Sequence, residues 1–103
     1  MPSTTQQRKS FRAIGHRLKP VVTVAEKGIT ENVRQELERA LNDHELIKVK
    51  LVVGDRAAKN AVSKELTELL GAECIQQIGH ILLLYRAARK PDPRLSNLLR
   101  KLD

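Results

Sequence analysis

The chain has one cysteine, one phenylalanine, one tyrosine and no tryptophan among its 103 residues. Cys74 alone closes no internal disulfide and, without other cysteines nearby, anchors no cysteine-based metal site, so it reads as a small apolar core residue. With Phe11 and Tyr85 as the whole aromatic inventory, and Phe11 on the apolar stripe of a helix, base stacking cannot be the main term of any nucleic-acid contact. No stretch approaches the roughly 18 consecutive apolar residues of a membrane span. The opening Met1-Pro2-Ser3-Thr4-Thr5-Gln6-Gln7 lacks the apolar segment of a signal peptide, and a cytoplasmic location is expected. Walker loop, dinucleotide fingerprint and His/carboxylate metal pattern are all missing. His16, His44 and His80 fall on a helix, a helix end and a turn with no nucleophile motif beside them, and His44 near a helix C-terminus is explained by the dipole. The expectation is a non-enzymatic protein with no cofactor and no metal.

Acidic residues are missing from the first 25 positions, which carry Arg8, Lys9, Arg12, Arg17 and Lys19. Residues 86–103 hold six basic and two acidic side chains, while residues 26–85 hold eight and ten, so the net charge of +7 sits at the two ends. Grouped cations displace counterions from phosphates, so this distribution points to a polyanion. At 41% hydrophobic the chain has length for one core and one domain.

Phe11, Ile14 and Leu18 recur at helical spacing from Thr5 to Leu18, and Lys19-Pro20 ends that helix. Val21 to Val24 is a β-branched strand leading into a turn at Gly28. Thr30 caps a second helix with the stripe Val33, Leu37, Ala40 and Leu41. Glu45 to Val53 alternates as a strand, with Ile47, Val49, Leu51 and Val53 on one face and Lys48 and Lys50 on the other. After Gly54-Asp55, a third helix runs along Ala58, Val62, Leu66, Leu69 and Leu70 to Gly71. Cys74–Ile78 and Ile81–Tyr85 form a hairpin across Gly79-His80. The predicted fold is α/β, a single domain of order αβαβαββ with a four-stranded mixed sheet. Residues 1–87 form the domain and 88–103 a basic tail, in which Leu95, Leu98, Leu99 and Leu102 are spaced for a short helix.

The candidate binding residues are Arg8, Lys9, Arg12, His16, Arg17 and Lys19 of the first helix and its exit, Lys27 and Gly28 at the entrance of the second, and Lys48 and Lys50 on the strand. The first helix has no internal acidic partner in its own sequence, and a helix N-terminus offers unpaired N–H groups to a phosphate. Together they are expected to make one continuous cradle. Glu26 and Glu31 flank Lys27-Gly28 and work against it.

The order of elements, with Leu18-Lys19-Pro20-Val21-Val22, Lys27-Gly28-Ile29-Thr30-Glu31, His44-Glu45-Leu46-Ile47-Lys48-Val49-Lys50, and Ile78-Gly79-His80 leading to Leu84-Tyr85-Arg86, resembles the CRM domain of the stand-alone bacterial YhbY type over roughly residues 5–87. The resemblance implies a fold similar to the C-terminal domain of bacterial translation initiation factor three. It implies binding to ribosomal RNA in the precursor large subunit, as a ribosome assembly factor. A monomer is expected. It also implies a Gly-x-x-Gly loop after the first strand, where this chain has Ala25-Glu26-Lys27-Gly28. The competing expectation is a protein-interaction module working through the C-terminal amphipathic segment.

Overall fold

The computed structural model describes residues 3–101. Its elements are α1 (Thr5–Gly15), β1 (Pro20–Val24), α2 (Glu31–His44), β2 (Leu46–Leu51), α3 (Arg56–Leu70), β3 (Glu73–Ile78) and β4 (Ile81–Tyr85), the order read from the sequence. The sheet order is β1-β2-β4-β3, with β1 and β2 parallel and β4 antiparallel to both its neighbours. Each helix opens on a capping residue, at Thr30 and Asp55 as the sequence predicts. Thr4 and Gln7 form a reciprocal capping box on α1, Thr30 accepts from the Val33 N–H, and Asp55 accepts from the Ala58 N–H. Gly71, in the left-handed conformation, closes α3.

The sheet is covered on both faces. On one, α2 and α3 bury Leu37, Leu41, Leu66 and Leu70 against Val22, Val24, Ile47, Val49, Leu51, Leu82 and Leu84. On the other, Phe11 and Leu18 meet Leu46, Ile75 and Leu83, with Ile14, Tyr85 and Leu98 packed against them. Double coverage explains why Leu82, Leu83 and Leu84 are consecutive and all buried: β4 is an inner strand with no solvent face there.

The structure differs from the expectation in several places, among them β2, which stops at Leu51 short of Val53. The first helix ends at Gly15, because Arg17 and Leu18 close turns back onto Ile14 and Gly15; Leu18 reaches the core from the connection to β1. Leu69 faces outward at 48% exposure, and Ser63 takes the buried place on α3. The segment 91–100 forms two turns instead of an α-helix. There, Asp92 accepts from the Arg94 N–H and Ser96 and Asn97 become buried, which no helical stripe of leucines would require. Leu98 alone of Leu95, Leu98 and Leu99 packs on the core, and Leu102 lies outside the described residues.

Candidate nucleic-acid interface

Alternation along β2 places Lys48 and Lys50 on the α1 face of the sheet, opposite the face that holds Ile47, Val49 and Leu51. Helix α1 covers only part of that face. It lies over the Leu46, Ile75 and Leu83 end and leaves Val21, Thr23 and Lys50 exposed and Lys48 half-buried. Gly15 is what lets its last turn come down. A Cβ there would stand 2.7 Å from Leu83 Cδ2, so any side chain would lift the helix or displace Leu83. The close approach brings His16 to the rim of a hollow that Lys48 also lines. Among the described residues, neither His16, Lys48 nor Lys50 forms an ion pair with a carboxylate of the chain.

Lys27 and Gly28 stand at the end of the sheet where β1 and β2 finish. Thr23 and Val24 are in register with Lys50 and Leu51, so the loop begins one strand away from Lys50. Ala25 to Gly28 is a β-turn, closed by the Gly28 N–H donating to Ala25 O at 2.8 Å. That bond withdraws one of the N–H groups expected to serve a phosphate. Gly28 has φ +76°, a conformation that costs an L side chain about 1–2 kcal/mol. Of the two acids beside the loop, Glu31 is turned back along α2, where Arg34 and Gln35 donate to its carboxylate. The Arg34 bond, then its charge, holds that carboxyl below the usual range. Glu26 stays exposed. Arg56 and Lys59 line a further hollow with Gln77 and Gly79 at the same end, under the β3–β4 hairpin.

The cations of α1 do not form the expected continuous cradle. Arg8 is capped by the protein's own carboxylate: its guanidinium pairs with Glu73 and donates to Cys74 O and Ile75 O, each at 3.2 Å. Glu73 in turn aligns with Tyr85 and Leu46, so Arg8 sits at the end of the sheet away from Lys27. Lys9 is exposed and Arg12 partly buried on the same helix. Arg17 and Lys19 leave α1 toward a different hollow, shared with His44 and with Arg100 of the tail, a residue the sequence reading left unassigned. The cations that the fold does gather on the open sheet face and its loop end are Lys48, Lys50 and Lys27, with the His16 imidazole beside Lys48.

A model of the CRS1/YhbY (CRM) domain matches residues 4–86. The chain belongs to the CRM domain family. It is 51% identical over 100 residues to a probable RNA-binding protein of Pseudomonas aeruginosa, covering 97% of this chain and 96% of that one. An RNA-binding protein of Haemophilus influenzae is 41% identical over 87 residues, 84% of this chain and 88% of the relative. The solution structure of a hypothetical protein from Staphylococcus aureus superimposes with a TM-score of 0.76 at 27% identity, over 86% of this chain and 93% of that one.

Two features of this CRM domain take on a physical meaning. Ala25, standing at the first position of the loop motif, does not have a positive φ, so its Cβ costs the turn no backbone strain. His44-Glu45-Leu46 is the seat of the tail. Glu45 has φ +62° and ψ −48°, is 5% exposed, and its carboxylate accepts from the Ala88 N–H at 2.8 Å and the Ser96 hydroxyl at 2.7 Å. Asn97 bonds His44 O through its N–H and Leu46 O through its side chain, and His44 Nδ1 donates to Leu95 O at 2.8 Å. The His44-Glu45 pair therefore holds residues 88–97 against the domain. Tyr85 is likewise structural: its ring lies 4.6 Å from that of Phe11, and Arg86 beside it pairs with Glu38.

Proposed function

We propose that this CRM domain is a non-enzymatic, cytoplasmic, monomeric RNA-binding protein that engages ribosomal RNA in the precursor large subunit and acts in its assembly. The observation that carries the reading is the strip along one sheet face, uncompensated by carboxylates among the described residues: Lys48 beside the His16 imidazole, then Lys50, then Lys27 at the loop. A row of lysines across an exposed sheet also discourages edge pairing. Here, however, the strip continues into a glycine-containing loop before a capped helix, the arrangement that accommodates a sugar-phosphate backbone. The names of the relatives support the RNA class, and the family resemblance supports the ribosomal target.

Contacts to phosphate give a salt-dependent affinity. Neutralising about three phosphates through Lys27, Lys48 and Lys50 predicts a log–log salt slope of about −2 to −3. Replacing Lys48 and Lys50 by Gln should flatten it by about 1.5 while leaving the denaturation midpoint nearly unchanged. In extracts fractionated by sedimentation, the wild-type protein should travel with precursor large subunits and the double variant at the top of the gradient. A slope near zero, or co-sedimentation unaffected by the two replacements, would overturn the proposal.

A further inference from the structure

The uncovered half of the α1 face is shaped as well as charged. A half-open hollow of about 250 Å³ is floored by Leu83 and Ile81 of the inner strand β4. Two rungs cross it: Lys48 pairs with Leu83, which pairs with Gln76, and Lys50 pairs with Ile81, which pairs with Ile78. Lys48 thus stands on one side of the hollow and the Gln76 amide on the other, two strand spacings or about 10 Å apart. The end wall is the last turn of α1, held down by the absence of a Cβ at Gly15.

Gln76 reaches this hollow because of an irregularity in β3. Between Cys74 and Gln76 the register slips by one residue against β4. Ile75 fills the core under α1, and Gln77 bonds Asn60 of α3 on the opposite face. The slip lets Ile75 and Gln76 share the α1 face, the re-aiming that a bulge performs beside functional sites. Among the described residues, the Gln76 amide makes no hydrogen bond, and no carboxylate lines the hollow.

We propose that this hollow is a nucleobase pocket for single-stranded RNA. One splayed base lies on Ile81 and Leu83, its edge is read by the Gln76 amide, and its phosphate is held by Lys48 and His16. An apolar floor with few convergent polar groups suits a small planar ligand. The cationic rim selects one that carries an anion, and a nucleotide meets both conditions where an apolar peptide or a second copy of the chain meets one. The proposal rests on the RNA-binding reading and adds to it a preference among bases, which phosphate contacts cannot supply.

Short single-stranded oligoribonucleotides of A, U and C, measured by fluorescence anisotropy at one low salt concentration, test it. The wild-type protein should separate the best from the worst by at least about fivefold, the discrimination expected of one well-placed amide. Gln76→Leu should compress the spread to about twofold and keep the salt slope. As a check needing no variant, the Gln76 side-chain amide resonances should move when the preferred oligomer binds. Equal affinities in the wild type, a preference that survives Gln76→Leu, or unmoved amide resonances would overturn the pocket while leaving RNA binding intact. Self-association abolished by Ile78→Ser would overturn it in favour of a second copy. Binding to none of the oligomers would instead overturn the RNA reading beneath it.

Discussion

Replacing Arg8 by Ala separates a structural arginine from a binding one. The guanidinium spans from α1 to the start of β3, and its partners fix the size of the effect. A charge-assisted bond to a carboxylate contributes about 1.5–3 kcal/mol, but Arg8 and Glu73 side chains are 34% and 21% exposed, so solvent screening brings this to about 1–1.5 kcal/mol. The two bonds to Cys74 O and Ile75 O, shared by one nitrogen at 3.2 Å, add about 0.5–1 kcal/mol. The expected loss is about 2 kcal/mol, or roughly 8–16 °C in Tm for a domain of this size. Urea denaturation reads the stability, and anisotropy with labelled RNA, at a temperature where both proteins are folded, reads the binding. Affinity should stay within about twofold and the salt slope should not change. An Arg8→Ala protein of unaltered stability and weakened RNA binding would refute the assignment.

The same pair predicts a pH dependence. Burial alone pushes the Glu73 carboxyl up, but bonds from Ser3 and the bond and charge of Arg8 outweigh it and hold the pKa below the ordinary 4.5. A carboxylate whose pKa is lower folded than unfolded stabilises the protein above the unfolded value, and the contribution disappears as pH falls through the folded value. The stability gap between wild type and Arg8→Ala should therefore be flat from neutral pH down to about 5 and shrink below about 4.5.

Glu45→Ala should cost about 2–4 kcal/mol, because it strands the Ser96 hydroxyl and the Ala88 N–H at a buried site; hydrogen exchange should show protection lost across residues 88–100, and an unchanged exchange pattern would count against the latch. Gly28→Ala meets no atom within 4 Å but must adopt φ +76°, so stability should drop by about 1 kcal/mol and RNA affinity several-fold, whereas Ala25→Gly should leave affinity within about twofold by anisotropy. Leu95→Ser with Leu99→Ser tests the protein-interaction reading without undoing the Ser96 and Asn97 anchors: both leucines are exposed, so stability and RNA affinity should hold, and loss of particle association in gradients with RNA affinity intact would favour a protein partner.

Local signals carried most of the fold. Caps at Thr30 and Asp55, the stop at Gly71 and the alternation of β2 are each decided by neighbours in sequence, and the structure keeps them. What the sequence hid depends on distance along the chain. Arg8 reads as unpaired because Glu73 is 65 residues away, and the leucines of the tail read as a helix because nothing local shows that Glu45 draws Ser96 inward. Glu45 itself is a non-glycine residue at positive φ, a conformation that residue type does not announce. In the site, Lys48 and Lys50 were legible from period two, whereas Gln76 was not, since the slip in β3 breaks the alternation that would place it.

Coverage of the second sheet face connects these features. A four-stranded sheet with α2 and α3 on one side still presents Leu46, Ile75 and Leu83 to solvent on the other. Helix α1 covers them, and the Arg8 clamp at one end and Gly15 at the other fix where it lies. The tail, anchored by Glu45, adds Leu98 to the same cluster. The basic ends of the sequence therefore spend part of their length completing the core, and the charge they carry is not all available to a ligand. Lys48, Lys50 and Gln76 lie beyond the reach of that cover, and an α1 longer by one turn or a tail docked further along would occupy their place. On the proposed interface, an α1 running past Gly15 would cover the strip, and a variant that extends it should lose RNA affinity by anisotropy without losing a single lysine.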